Sequence, residues 1–259
     1  MNETRVKAKI KEGKMAISAS VDMTDPALVE IIGLAGYDAV WIDTEHSEFD
    51  FKLIEEMVRA ADAVGITAIV RAQENNPKTI GRIRDMGAGG IYIPHIQGRE
   101  DALAVVKAVR YAPLGRRGMS GPSRAMQYGA IPMAEHRTTS NSEILVTVMV
   151  EDKEVFPEVE GIASVDGLDF VSVGPACLSL SLGVEPGDPK LKKAIEDIAA
   201  TVRRVGKAKM AMFLDHAVLP LNARQLQELG VVLAHAGGAK YRLLSSFREQ
   251  LQGYQAQLS

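Results

Sequence analysis

The sequence predicts a closed barrel of eight parallel strands and eight helices, the (β/α)8 or TIM-barrel class of α/β protein, and three observations point there. The chain has 259 residues, the size of one such barrel. Short apolar runs alternate with amphipathic ones almost from end to end, giving eight strand candidates with helical stripes between them. Residues 18–25, after the first strand candidate, contain no glycine. An open nucleotide-binding sheet carries a glycine-rich phosphate loop at that place, so the closed barrel is the better reading.

The strands are expected at residues 15–20, 39–43, 68–71, 90–94, 145–151, 170–174, 210–214 and 231–236. Several are apolar on both parities, as strands buried on both faces must be. Helices are expected at 27–36, 51–63, 78–86, 100–111, 189–205 and 225–230. Asp25-Pro26 and Asn76-Pro77 place a capping side chain before a proline suited to the first helical turn. Gly36, Gly65, Gly87 and Gly230 stand just past helical stripes, where a left-handed residue ends a helix. Residues 112–142 are rich in glycine and proline, and so long a stretch without a clear element is expected to be functional. Near the end, Leu244, Phe247, Leu251, Tyr254 and Leu258 recur every three or four residues. They predict a helix over about 241–258 whose stripe buries on its own barrel or on a neighbour's. The whole chain, 1–259, reads as one domain.

Composition narrows the function classes. Hydrophobic residues are 46% and charged residues 24%, ordinary for a folded protein, and 30 Lys and Arg against 33 acids give a net charge of −3. Nucleic-acid binding needs clustered positive charge, which the chain lacks. No apolar run is long enough to cross a bilayer, and the first dozen residues lack a signal peptide's apolar core, so a cytoplasmic location is expected. The single cysteine, Cys177, excludes an intrachain disulfide and a multi-cysteine zinc site.

In a parallel barrel, chemistry sits at the carboxy ends of the strands. There the sequence places Asp43, Glu45 and His46 after the second strand, Arg71 after the third, Glu151 after the fifth and Cys177 after the sixth. Asp43 and Glu45 read either as caps of the next helix or as site residues. Arg71 and Glu151 end apolar strands and each needs a partner. A lone histidine in a loop is more often structural, but convergence with Arg71 and Glu151 favours a role for His46. Cys177 alone is read as a small buried hydrophobe. His95, His136, His216 and His235 have no assigned role, although His95 and His216 end strands and are the pair expected to face the pocket. Arg116 and Arg124 either bind an acidic substrate or pair with Glu135 and its neighbours, and surface pairing is the expected outcome.

These residues carry a resemblance. Gly36-Tyr37-Asp38 through Asp43-Thr44-Glu45-His46-Ser47 resembles the second-strand signature of the HpcH/HpaI family of class II pyruvate aldolases, the metal-dependent 4-hydroxy-2-oxo-acid aldolases. Arg71 with Asn76-Pro77 is similar to the family's third-strand arginine segment. Arg110-Tyr111-Ala112-Pro113-Leu114-Gly115-Arg116-Arg117-Gly118 resembles its Tyr-Pro-Pro-x-Gly-x-Arg-Gly stretch. Glu151 matches its metal glutamate, and Gly174-Pro175-Ala176-Cys177-Leu178-Ser179 matches Gly-Pro-Ala-Asp-Leu-Ser except that Cys177 replaces the aspartate.

The resemblance implies a lyase that forms and cleaves a C–C bond next to a 2-oxo acid, releasing pyruvate and an aldehyde. It implies a homo-oligomer, at least a dimer and typically a hexamer, with the last helix exchanged between subunits. His46, oriented by Asp43, would be the base; Arg71 would meet the keto oxygen; and the N–H groups of Ala176, Cys177 and Leu178 would hold the substrate carboxylate. A divalent cation, Mg²⁺ or Mn²⁺ in a two-carboxylate site, would rest on Glu151 and residue 177. With a cysteine there, softer Co²⁺ or Zn²⁺ is the better match. Met149 stands where the family commonly has glutamine. Asp152 is expected on the far side of its strand, and Asp166 and Asp169 at the opposite end of the barrel. Two alternatives stay open: a diverged lyase with metal-independent chemistry, and a silent barrel kept as a binding subunit.

Overall fold

The computed structural model describes residues 4–258. Eight strands, β1 (Ala16–Val21), β2 (Ala39–Asp43), β3 (Thr67–Arg71), β4 (Gly90–Ile93), β5 (Leu145–Val150), β6 (Phe170–Val173), β7 (Lys209–Phe213) and β8 (Val231–Gly238), close into one parallel barrel in sequence order. The predicted TIM barrel is the observed fold. Every residue of β2 to β6 is buried, which explains why these strands read as apolar on both parities.

Helices α2 (Pro26–Leu34), α3 (Phe51–Ala63), α4 (Pro77–Asp85) and α5 (Arg99–Val109) follow the first four strands. The caps work as the sequence suggests: Asp25 accepts from Ala27 N at 2.9 Å, and Asn76 from Lys78 N at 2.9 Å. Beyond β5 come a 3₁₀ turn (Lys153–Glu158) and α7 (Val159–Ala163). Beyond β6 come α8 (Pro175–Leu182) and α9 (Pro189–Val205), and α10 (Ala223–Glu228) precedes β8.

Three features differ from expectation or were not anticipated. A first helix, α1 (Arg5–Lys11), lies before β1, capped by Thr4. It is short and lysine-rich, so periodicity does not reveal it. Its Val6 is fully buried against Ala16, Ala39, Ile69 and Leu145 inside the barrel. Secondly, residues 112–142 are not without structure: they hold a 3₁₀ turn (Arg124–Gly129) and most of α6 (Met133–Glu143). This segment joins the end of α5 to the start of β5, so it packs at the strand-start end of its own barrel. Tyr111 N donates to Asn141 Oδ1 at 2.8 Å, and Arg124 donates to Met86 O at 2.8 Å and pairs with Asp62, not with Glu135. Thirdly, α11 (Ala239–Leu258) begins two residues earlier than predicted and buries only Ala239. Its apolar stripe is uncovered on its own chain, with Phe247 65% and Leu258 88% exposed.

Candidate active site

The carboxy ends of β2 and β3 build the centre of the site. Arg71 ends β3, almost fully buried, and Asp43 ends β2 beside it in register. Its Nε donates to Asp43 Oδ1 at 2.9 Å and its Nη2 to Oδ2 at 2.5 Å, a two-pronged pair. On the other side, Arg71 Nη1 lies 2.7 Å from Glu45 Oε2. Burial alone would lower the guanidinium's pKa, but the hydrogen bonds and charge of Asp43, with the charge of Glu45, outweigh it and hold Arg71 above the ordinary arginine value. Arg71 also stands 4.7 Å over the Trp41 ring, inside the barrel. The guanidinium is thus fixed on three sides, and two of its five N–H groups are left beyond these pairs.

Asp43 does not orient the His46 ring. Its Oδ1 accepts instead from the backbone N–H groups of Glu45 (3.1 Å) and His46 (3.2 Å), so it shapes the loop while gripping Arg71. The His46 side chain is 64% exposed, with Nε2 3.9 Å from Glu45 Oε2. Glu45 caps nothing, because Asp50 caps α3 through Leu53 N. It lies at the mouth, nearly buried between Arg71 and the two histidines His46 and His95.

Glu151 is 1% exposed, and its Oε1 has no hydrogen-bond partner among the described residues. Gly174 makes room for it: a Cβ there would lie 3.2 Å from the Glu151 carboxyl carbon. Cys177 sits in the first turn of α8, and its thiol hydrogen-bonds to Glu151. Burial, that hydrogen bond and the Glu151 charge push the thiol up to about 12. The protein's own groups thus favour the neutral thiol over the thiolate. Leu178 N–H already donates to Gly174 O at 2.9 Å, which leaves Ala176 and Cys177 as first-turn donors for a carboxylate.

Of the remaining histidines, His95 faces the mouth, with Nε2 3.4 Å from Glu45 Oε1 and Nδ1 3.9 Å from Asp152. Asp152 is not on the far side, because β5 has ended at Val150 and strand alternation no longer applies. His216 holds its own turn, accepting from Val218 N at 3.2 Å. His235 is inside the barrel, 2.6 Å from Ser18 Oγ, and His136 is buried near Tyr111 at the far end. Asp169 is at that end too, paired with Arg110 at 2.7 Å.

The donor set does not suit a hard divalent cation. Glu151 offers one unpartnered carboxylate oxygen, but beside it stands a soft sulfur donor where a hard cation takes a second oxygen. No group of three metal-binding side chains exists among the described residues. What the arrangement can do is present a fixed cation, two imidazoles and a thiol-bonded carboxylate to one small anionic substrate.

Residues 20–237 match the HpcH/HpaI aldolase/citrate lyase family. A hydroxypyruvate/pyruvate aldolase of Sagittula stellata is 34% identical over 223 residues, 85% of this chain and 87% of that protein. A pyruvate aldolase of Rhizobium etli is 34% identical over 203 residues, 78% of this chain and 79% of that one. The solved citrate synthase SbnG superposes with a TM-score of 0.86 at 28% identity, covering 97% of both chains. A family protein from Burkholderia cenocepacia reaches 0.88 at 28% identity, covering 97% of this chain and 99% of the other. With the barrel, the strand-end residues and this match over most of its length, the chain belongs to the HpcH/HpaI aldolase/citrate lyase family.

Proposed function

We propose that the protein catalyses reversible aldol cleavage of a 4-hydroxy-2-oxo acid by way of the enolate of pyruvate or hydroxypyruvate. Membership of the family makes it a C–C lyase acting on a 2-oxo acid. The observation that carries the mechanism is Arg71 at the end of β3, clamped by Asp43 and Glu45 with two N–H groups to spare. Removing a methyl proton places negative charge on the keto oxygen, and a pre-fixed guanidinium stabilises it without reorganising. His46 is the base that takes this proton. The N–H groups of Ala176 and Cys177 hold the substrate carboxylate. Glu151, tied to a neutral thiol, serves the mechanism without a hard cation.

A second reading is favoured by the missing donor set and by the likeness to a citrate synthase. In it the 2-oxo acid is the electrophile, and Arg71 stabilises the alkoxide formed when another carbanion adds to the keto carbon.

Deuterium exchange of the pyruvate methyl group separates the two. Under the first reading, wild-type protein exchanges these protons in the presence of a chelator, and Cys177→Asp gains exchange stimulated by Mg²⁺ or Mn²⁺. Exchange abolished by chelation and restored by Mg²⁺ would show that the wild-type site is metal-dependent. Absence of exchange under all conditions supports the second reading.

The uncovered stripe of α11 and the exposed Ile31 and Leu34 of α2 support a homo-oligomer, at least a dimer and, by resemblance, a hexamer. A stable monomer at micromolar concentration in sedimentation would refute it.

A further inference from the structure

His95 lies where β4 runs out, and its backbone φ is 52°, a left-handed conformation that costs a non-glycine residue ~1–3 kcal/mol. Neighbours hold it there. Ile96 N donates to Met149 O at 3.4 Å. Gln97 Nε2 donates both to His95 O at 3.2 Å and to Asp152 Oδ2 at 3.3 Å. The imidazole is thereby turned into the mouth, about half exposed, with Nε2 3.4 Å from Glu45 Oε1. The other oxygen of Glu45 lies 3.9 Å from His46 Nε2. One carboxylate, anchored by Arg71, stands between two imidazoles.

Cleaving a 4-hydroxy-2-oxo acid moves two protons at two places: one leaves the C4 hydroxyl, and one arrives at C3 of the enolate. We propose that His95 is a second catalytic imidazole, the one that serves the C4 oxygen, while His46 serves C3. The idea rests on the assignment of His46 as the enolising base.

In cleavage the hydroxyl O–H bond breaks toward His95 Nε2, and its electron pair becomes the aldehyde carbonyl. The C3–C4 pair moves into the enolate beside Arg71, and protonated His46 gives its proton to C3. His95 has gained one proton and His46 has lost one. Transfer from His95 through Glu45 to His46 restores both rings, and no oxidant or reductant is involved. Without a donor set for a hard cation to activate water, the hydroxyl proton needs a side-chain acceptor, and His95 is the imidazole placed for it.

The test uses two readouts on the full-length protein: deuterium exchange of pyruvate, which needs only enolisation, and joining of pyruvate to glycolaldehyde, which needs both protons. His95→Gln and His95→Gly are compared with His46→Ala; glycine accepts φ near +52° without strain. In both His95 variants joining should fall ~10²–10⁴-fold farther than exchange. Added imidazole should rescue joining in His95→Gly. His46→Ala should lose the two together.

Equal losses in the two readouts for His95 variants, or joining at the wild-type rate, would overturn the proposal. So would wild-type protein that exchanges pyruvate protons yet leaves glycolaldehyde unjoined, because a proton donor at His95 serves any small aldehyde. Exchange that survives in His46→Ala would instead remove the base assignment on which the proposal stands.

Discussion

The two ends of this barrel both hold buried arginine, but in opposite company: several guanidinium groups share the strand-start end, whereas a single one stands among acids at the mouth. At the strand-start end, Arg110 donates to Gly167 O at 2.9 Å and to Asp169 at 2.7 Å. Arg117 donates to Asp85 at 2.6 Å, and Arg124 is spent on Met86 O and Asp62. Even a cavity of about 660 Å³ there, lined by Arg59, Arg124 and Tyr128, presents guanidinium groups already paired with Glu55 and Asp62. At the mouth, one guanidinium meets a surplus of acids: Asp43 and Glu45 grip Arg71, and Glu151 and Asp152 stand beyond them within 4.0 Å of His95, with an unpartnered oxygen on Glu151. Buried unpartnered atoms occur at both ends, Arg117 Nε and Nη1 and His136 Nδ1 at the strand starts and Glu151 Oε1 at the mouth, so what sets the mouth apart is its surplus of carboxylates around one fixed cation.

Removing Arg71 should give the largest effect and affect both activity and stability. Arg71→Met takes away the cation at the keto oxygen, so proton exchange should fall by at least the ~10²–10³-fold typical of losing one such donor. It also leaves Asp43 buried without its partner, which should cost about 3–5 kcal/mol in urea unfolding. A variant with near-normal exchange would show that Arg71 only braces the fold, like the arginines at the other end.

Asp85→Asn at the strand-start end should behave in the opposite way. Arg117, whose side chain is almost wholly buried, would lose a charge-assisted bond worth about 1.5–3 kcal/mol. Turnover should stay within about twofold of wild type. A large loss of turnover at unchanged stability would mean that the two ends are not separate in function.

Much of this contrast is legible in the sequence, and the rest fails for identifiable reasons. β2, α3 and α9 fall at the predicted residues because apolar period, caps and stops agree there. Arg71 and Glu151 stand out because a charge that ends an apolar run needs a partner. Residues 112–142 lie where topology puts them, because a connection from a helix to the next strand runs at the strand-start end. Gly87 shows a second duty hidden behind a first. It ends a helix at φ 96°, and a Cβ there would also come within 2.5 Å of Arg124 Nη1. Glu45 and His95 were not separable by sequence, because their roles come from contacts between loops after different strands. The left-handed turn at His95 has no glycine or asparagine to announce it.

The smallest expected effect concerns pH and two histidines buried at different depths. His235, inside the barrel against Ser18 and the rings of Trp41, Tyr92 and Phe213, is driven by burial down to about 3. His136, at the strand-start end, is held at about 4 by burial and then by the charges of Arg117 and Arg84. In the unfolded chain both titrate near 6.5, so below that pH the unfolded state binds more protons than the folded one. Their stability contribution is therefore complete above about pH 6.5 and is lost progressively as pH falls toward 3. At pH 5.5, one unit below the unfolded value, His235 alone should cost ~1.4 kcal/mol relative to pH 7.5. His235→Gln keeps a polar partner for Ser18 without a titrating ring, so the variant should lose that much less stability between pH 7.5 and 5.5. His136→Gln should flatten the slope between these two pH values by about the same amount, since its folded value of about 4 also lies well below 5.5; the two rings part only nearer pH 4. Urea midpoints at the two pH values check this. Parallel pH slopes in wild type and both variants would mean that these rings gain protons without unfolding the protein, and that the barrel interior admits water.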